Sequence, residues 1–226
     1  MCGRFTLRHP RRVRIWGVPD ADLFDINPRF NIAPSQKILA VTQVGERRAL
    51  SLLDWGLVPS WSKEAIGLIN ARAETLEEKP SFSESFQRRR CLIPADGFYE
   101  WKKQGKLRQP YFFQLKDETP FAFAGIWDEW RRDGVSITSC AIITTTPNEL
   151  LAEIHDRMPV ILHPEAHDEW LDARTLPSEL TGMLSPFPAS AMKSYPVGSD
   201  VNQAKIDEEH LVQQVDPIPE VQPSLF

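Results

Sequence analysis

The chain has 226 residues, of which 42% are hydrophobic and 25% charged, and its formal net charge is −5. This composition is ordinary for a globular domain, and the net acidity argues against a broadly basic nucleic-acid coat protein. No apolar run approaches the roughly 20 residues that a membrane-spanning helix needs, and the N-terminus lacks the apolar core of a signal peptide. We therefore expect a cytoplasmic protein with no membrane partner.

Strand-like segments, rich in β-branched and aromatic residues and ending at Gly, Pro or Asp, dominate the pattern. They cover residues 37–43, 48–58, 91–103, 110–116, 121–130 and 136–146. Helical signals are fewer: a capping box at Thr146 predicts a short helix, and a second helix follows His163-Pro164. The pattern predicts an α+β fold with mostly antiparallel, open barrel-like sheets and flanking short helices. We expect one domain over residues 1–212 and a flexible acidic tail over 213–226.

Charge is unevenly distributed along the chain. Residues 1–19 carry five arginines and no acid, whereas residues 198–226 carry six acids and one lysine. A basic end on an acidic chain favours a confined anion site, although a solvated arginine-rich face is the alternative. We interpret the run Arg88-Arg89-Arg90 as solvated, the alternative being that it extends the basic surface. The histidines at positions 9, 163, 167 and 210 are interpreted as surface or capping residues.

Cys2 carries the most distinctive chemistry. Removal of the initiator methionine would make it an N-terminal 1,2-aminothiol, whose α-amine has a pKa of about 7.7–8.0 and is partly neutral at pH 7. Such an amine condenses with an aldehyde to an imine, and the neighbouring thiol then closes a thiazolidine ring. An incidental second-residue cysteine is the alternative. Cys91 and Cys140 lie in apolar strands and are expected in the core. Without a CxxC pair, the sequence predicts no metal and no other cofactor.

The first five residues, MCGRF, are followed by several further motifs in a fixed order. These are RFNIAP (29–34), WGLVPSW (55–61), LINARAET (68–75), IPADGFYEWKK (93–103), TTTPN (144–148), IHDRMPVIL (154–162) and YPVGSDVNQAK (195–205). Together they resemble the SRAP family, the SOS response-associated peptidases, also known as abasic-site processing proteins. The resemblance covers about 200 of the 226 residues.

The resemblance implies a monomeric protein that senses abasic sites in single-stranded DNA, associates with the nucleoid on damaged DNA, and shields the lesion by a covalent thiazolidine crosslink through Cys2. It also implies reversal of the link, an AP-lyase side activity, and a peptidase-type classification because Met1 must leave. Asn70 is expected to hydrogen-bond the α-amine or the sugar, Glu100 to accept or relay protons, and His155 to act as the acid–base group.

The same motifs suggest which residues contact DNA. We expect phosphate contacts from arginine guanidinium groups and stacking from an aromatic loop residue, Trp61. Some relatives carry a second bulky residue beside this tryptophan, where the present chain has Ser62. The full set of expected DNA-binding residues is Arg4, Asn31, Trp61, Arg72, Trp101, Thr144 and Arg157.

The chain ends in Gln222-Pro223-Ser224-Leu225-Phe226. This segment resembles the short peptide by which bacterial DNA proteins bind the replicative sliding clamp, with Leu225 and Phe226 as apolar anchors and Gln222 at the groove edge. The alternative is that Leu225 and Phe226 pack back on the domain. Two other functions stay open from the sequence: a cysteine autopeptidase or N-terminal nucleophile hydrolase, and a non-covalent single-strand binding module.

Overall fold

The computed structural model describes residues 2–17, 26–45, 47–105 and 107–218, with the side chains of residues 14 and 15 left aside. The strands are β1 (Phe5–Leu7), β2 (Arg29–Ile32), β3 (Lys37–Val44), β4 (Arg47–Trp55), β5 (Asn70–Arg72), β6 (Arg90–Ala95), β7 (Gly97–Gln104), β8 (Leu107–Leu115), β9 (Phe121–Arg132), β10 (Val135–Thr145), β11 (Met158–Pro159), β12 (Ile161–Leu162) and β13 (Met192–Pro196). The α-helices are α1 (Ser83–Arg88), α2 (Glu149–Ala152), α3 (His167–Leu171) and α4 (Pro177–Gly182). Short 3-10 helices include Pro10–Trp16, Ser199–Asn202 and Glu209–Val212.

Two sheets form the framework. One has the strand order β13-β8-β7-β1-β2, and the other has the order β11-β10-β4-β3-β6-β9-β12. Strands β9 and β10 also pair with each other, so β10, β4, β3, β6 and β9 close into a barrel. Among the strands that the structure describes, all pairings are antiparallel except those of β10 with β4 and with β5. The prediction of a mostly antiparallel, barrel-like α+β fold is confirmed.

The predicted strand over 91–103 is in fact two strands, because the chain changes sheets at Asp96. Strand β6 pairs with β3 and β9 in the barrel, whereas β7 pairs with β1 and β8 in the second sheet. The buried Asp96 carboxylate accepts hydrogen bonds from the Thr6 hydroxyl at 2.7 Å and from the backbone N–H groups of Arg8 and His9 at 2.6 and 3.0 Å. This network fixes the crossing point and therefore where β7 begins.

Three local predictions are wrong. The N-cap of α2 is Asn148, whose side chain accepts from Leu151 N at 3.0 Å, rather than Thr146, because β10 runs on to Thr145. His167 is buried edge-on against Trp16 instead of lying on the surface. Arg90 is also buried, whereas the adjacent Arg88 is exposed as expected. The basic run is thus exposed at Arg88, where α1 ends, and buried at Arg90, where β6 begins.

Residues 213–218 lie along the second sheet. Val215 N donates to Pro196 O at 3.0 Å, and Ile218 N donates to the Gln109 side chain at 2.9 Å. Described contacts therefore continue past the domain end expected at residue 212. The residues of the clamp-like peptide (Gln222, Leu225 and Phe226) lie outside the described residues. Within the described ranges, no helix has both the length and the apolar character needed to cross a membrane.

Candidate active site

Strand β1 brings the start of the chain into the interior. Phe5 pairs with Phe98 of β7 and packs edge-on against Trp55 and Phe123 of the barrel, with ring centroids 5.2 and 5.7 Å away. Cys2, three residues earlier, is fully buried. Since β1 and β7 are antiparallel and Phe5 lies opposite Phe98, continuing this register places the start of the chain beside Glu100.

Asn70 reaches Cys2 from a strand of the barrel sheet. It opens β5, which lies parallel to β10 with Asn70 opposite Ile142. Its Nδ2 donates to the Cys2 carbonyl at 2.9 Å. Its Oδ1 is buried and accepts no hydrogen bond from the described residues, so this oxygen can accept from an amine or a hydroxyl of a ligand.

Glu100 and His155 form a carboxylate–imidazole pair next to Cys2. The His155 Nε2 atom lies 3.9 Å from Glu100 Oε2. His155 Nδ1 accepts from the Arg157 backbone N–H at 3.0 Å, so the neutral ring carries its hydrogen on Nε2, facing Glu100. The Asp156 carboxylate lies 3.0 Å from Nδ1, where it would partner the charged ring.

Burial sets the protonation of these groups. It raises the pKa of Glu100 to about 7, whereas it lowers the pKa of His155 below its usual range, although Asp156 opposes the latter shift. Near pH 7 Glu100 is therefore divided between its acid and carboxylate forms, and His155 is neutral. Burial, together with the charge of Glu100, also raises the pKa of the Cys2 thiol strongly. The thiol is consequently protonated at neutral pH.

Arg157 lies beside this pair, and its guanidinium is already paired with the Glu74 carboxylate. Its guanidinium donates two hydrogen bonds to Glu74, at 2.6 and 2.9 Å, and one to the Thr144 carbonyl at 2.6 Å. Thr144 itself is buried, whereas Arg72 and Glu74 are exposed. The Thr144 carbonyl thus supports Arg157, and the predicted contact of Thr144 with DNA stays a prediction.

Arg4 is likewise engaged by protein groups. It donates to the Asn31 side chain at 2.8 Å and to the carbonyls of Val201 and Asn202. Asn31 is buried, and its Nδ2 donates to the Ile206 carbonyl at 2.7 Å. Asn31 is thus placed to orient Arg4.

Trp101 and Trp61 differ in their surroundings. The half-buried Trp101 donates its indole N–H to Asn202 Oδ1 at 2.8 Å. Trp61 is 62% exposed, and its indole N–H donates to Pro80 O at 3.2 Å. Of these two aromatic side chains, Trp61 has the larger free face for stacking.

Two acidic residues of this region were missed by sequence reasoning. Glu74 follows Arg72 within the LINARAET motif, so its proximity to the basic residues could have been suspected. Asp207 accepts from the backbone N–H groups of Phe30 and Asn31, at 2.5 and 2.8 Å, and lies beyond the motifs. Among the residues that the structure describes, no three His, Cys, Asp or Glu side chains are grouped to hold a metal.

Substitution of Glu74 by glutamine should tighten the binding of single-stranded DNA about threefold at low salt, because one negative charge beside Arg72 and Arg157 is removed. Fluorescence anisotropy with a labelled oligonucleotide, over a salt series, measures this effect. Glu77→Gln, an exposed glutamate of the same neighbourhood in sequence, is the control. Weaker binding would mean that Glu74 holds Arg157 in place for the phosphate instead of competing with it.

The class of this protein is defined by an α+β fold with a strand barrel and a second antiparallel sheet, and by a buried second-residue cysteine near an amide and a carboxylate–imidazole pair. The chain belongs to the SRAP family: the family model, described as "SOS response associated peptidase (SRAP)", matches residues 1–204.

Several relatives are similar over nearly the whole chain. The abasic site processing protein YoqW of Bacillus subtilis is 45% identical over 223 residues, covering 94% of this chain and 99% of the relative. The abasic site processing protein YedK of Escherichia coli is 32% identical, covering 95% and 100%. The crystal structure of a Bacteroides thetaiotaomicron protein superposes with a TM-score of 0.86 at 26% identity, covering 95% and 100%. The chain is thus a member of a family whose named relatives process abasic sites.

Proposed function

We propose that this protein captures abasic sites in single-stranded DNA by forming a thiazolidine between the Cys2 aminothiol and the aldehyde of the ring-opened sugar. The observation that carries the proposal is that the buried Cys2 contacts Asn70 and interacts with Glu100, which is paired with His155. The names of the relatives support abasic DNA as the target. Loss of Met1 supplies the α-amine.

The first step joins nitrogen to carbon. The neutral α-amine attacks the aldehyde carbon, a C–N bond forms, and the carbonyl oxygen becomes a hydroxyl. Glu100 in its acid form protonates this hydroxyl, which leaves as water and gives a protonated imine. A carboxyl group with a pKa of about 7 is suited to this donation near neutral pH. Asn70 Oδ1 accepts from the amine or a sugar hydroxyl and orients the attack.

The second step closes the ring. The Cys2 thiol adds to the imine carbon, a C–S bond forms, and the thiol proton passes to the Glu100 carboxylate. Glu100 returns to its acid form, so the sequence as a whole releases one water and consumes no other reagent. Because the thiol has a raised pKa, it needs this proton acceptor.

His155 has a supporting role in proton transfer. Its Nε2–H faces the Glu100 carboxylate and stabilises that form between the two steps. We assign it the opening of the cyclic hemiacetal and a share in reversal of the link. The lyase side activity would start from the imine, by loss of a proton from the adjacent sugar carbon and departure of the 3′ phosphate.

DNA binding follows from the same residues. Arg72 and Arg157, with Arg4, are assigned to phosphates, since the lesion offers no base to read. Trp61 is assigned to stacking on a neighbouring base. Trp101, which hydrogen-bonds Asn202 as Arg4 does, is assigned to a DNA contact beside Arg4. A monomer acting at damaged DNA in the nucleoid, and clamp docking through the final residues, stay part of the proposal.

The autopeptidase alternative is disfavoured by the Cys2 thiol. A nucleophilic cysteine hydrolase depends on a thiolate, whereas burial and the charge of Glu100 raise the pKa of the Cys2 thiol. Thiazolidine formation starts with attack by the α-amine and therefore does not require a thiolate. The two functions also differ in stoichiometry, because a hydrolase turns over and a capture protein is consumed.

The function is tested with mature protein and a single-stranded oligonucleotide carrying one abasic site. A band that survives denaturation, needs the lesion and disappears in Cys2→Ala is the expected result, and its mass should be protein without Met1 plus DNA minus one water. Cys91→Ala, which removes a different buried thiol, should crosslink normally. Absence of the band in protein lacking Met1 would refute covalent capture. Repeated cleavage of an amide substrate would then support the peptidase.

A further inference from the structure

The loop between β4 and β5 presents two exposed apolar side chains, Trp61 and Ile66, which are 62% and 64% exposed. Its base is narrow: Leu57 and Leu68 exchange two backbone hydrogen bonds of 2.9 Å. The loop then leads directly into Asn70, which contacts Cys2. It is therefore a projecting element whose root adjoins the candidate active site.

Three side chains of β9 hold the backbone of this loop. Asp128 Oδ2 accepts from Ser60 N at 2.8 Å, Trp130 Nε1 donates to Ser62 O at 2.8 Å, and Arg132 donates to Lys63 O at 2.6 Å. Asp128, Trp130 and Arg132 alternate along the strand and share one face. We call these three residues the β9 ladder. It fixes the backbone immediately before and after Trp61.

Two residues of the β9 ladder, Asp128 and Trp130, are held in place by the surrounding protein. Asp128 is buried, and its other oxygen lies 3.1 Å from the Arg89 guanidinium. Trp130 is also buried. The intervening residues Glu129 and Arg131 pair with each other at 2.7 Å. The polar side chains of β9 thus form two sets. Those of the β9 ladder bind the loop, and those of Glu129 and Arg131 bind each other.

We propose that the β9 ladder consists of positioning residues that hold Trp61 ready to stack on a nucleobase next to the lesion. The inference rests on the proposed function. A loop held in one conformation loses little freedom when a base stacks on Trp61. When only a fraction of the molecules have the loop in the conformation that binds DNA, the apparent dissociation constant equals the intrinsic one divided by that fraction.

Trp130→Phe and Arg132→Gln test the ladder while keeping most of each side chain. Both variants, in the Cys2→Ala background, should bind abasic single-stranded DNA about fivefold more weakly if a fifth of the loops remain competent. With Cys2 present, the crosslinking rate at saturating DNA should be unchanged. Arg131→Gln removes the same charge from the neighbouring position and should bind like the parent protein. Trypsin cleavage after Lys63 should become faster in the ladder variants only.

A double-mutant cycle with Trp61→Ala separates positioning from general stability. Trp61→Ala alone should weaken binding about tenfold, as expected for one lost base–aromatic stack. Adding Trp130→Phe to Trp61→Ala should then cause no further loss. Parent-like binding by Trp130→Phe, or an equal further loss in the Trp61→Ala background, would overturn the inference. If Cys2 forms no crosslink but the cycle behaves as expected, the proposed capture reaction fails and the ladder stands.

Discussion

Replacing Glu100 by glutamine should slow formation of the covalent adduct by about a hundredfold or more, since a positioned general acid–base group contributes about 10²–10⁴ in rate. Glutamine keeps the size of the side chain but can neither protonate the departing hydroxyl nor take the thiol proton. The rate is measured with excess protein on denaturing gels at pH 7. Glu129→Gln makes the same chemical change on the outside of β9 and should react at the parent rate.

The same substitution should change the pH dependence of stability. Burial raises the pKa of Glu100 from 4.5 to about 7, so the folded state favours the neutral form. The contribution of Glu100 to the free energy of unfolding is therefore fully present below pH 4.5, and it is lost as the pH rises through about 7. A difference of this size corresponds to about 3 kcal/mol. Glu100→Gln should therefore unfold at a higher temperature than the parent at pH 8.

At pH 4.5 and below, the advantage of Glu100→Gln over the parent should disappear. Thermal unfolding of the two proteins at both pH values checks the sign. A variant that crosslinks at the parent rate would exclude Glu100 as the proton carrier, whatever its stability. A variant that is less stable at pH 8 would mean that the carboxylate, and not the acid, is the form favoured by the fold.

Replacing Arg90 by methionine should lower the free energy of unfolding by about 4 kcal/mol, at about 1 kcal/mol for each of four lost hydrogen bonds. The buried guanidinium donates at 2.6 Å to the carbonyls of Phe86 and Gln87 in the last turn of α1. It donates at the same distance to the carbonyls of Trp170, in the last turn of α3, and of Asp172, the C-cap of α3. Helix C-terminal carbonyls have no partners within the helix. Methionine keeps the apolar stem but leaves all four unsatisfied.

Arg88→Met is the matched control, because Arg88 is exposed two residues earlier in the same basic run. It should change the free energy of unfolding by less than about 0.5 kcal/mol. Urea denaturation of the three proteins gives the comparison. Equal midpoints for Arg90→Met and Arg88→Met would show that the four carbonyls find other partners, such as water.

The residues of the candidate site were predictable because each belongs to a local motif. Asn70, Glu100 and His155 were all named from the sequence, and the structure brings each of them to Cys2 or to one another. What the motifs could not give is which polar groups are already engaged within the protein. The hydrogen bonds of Arg157 to Glu74 depend on a contact between residues 83 positions apart.

The errors in the fold have the same origin. The strand expected over 91–103 has a continuous strand composition, and it divides at Asp96 because residues 6–9 supply donors to that carboxylate from β1 and the turn after it. Arg90 could not be distinguished from Arg88 by composition. Its burial depends on the ends of two helices, of which α3 lies far away in the sequence.

The attachment of Cys2 to the start of β1 has a mechanical consequence. Strand β1 is hydrogen-bonded on both sides, to β2 and to β7, and only Gly3 and Arg4 separate it from Cys2. Under the proposed crosslink, tension in the DNA would pull along this strand and load its perpendicular hydrogen bonds together in shear, instead of opening them one by one. A lesion held in this way would transmit force to the centre of the fold. The crosslinked protein should therefore resist removal from the DNA by force until β1 is pulled out of its sheet.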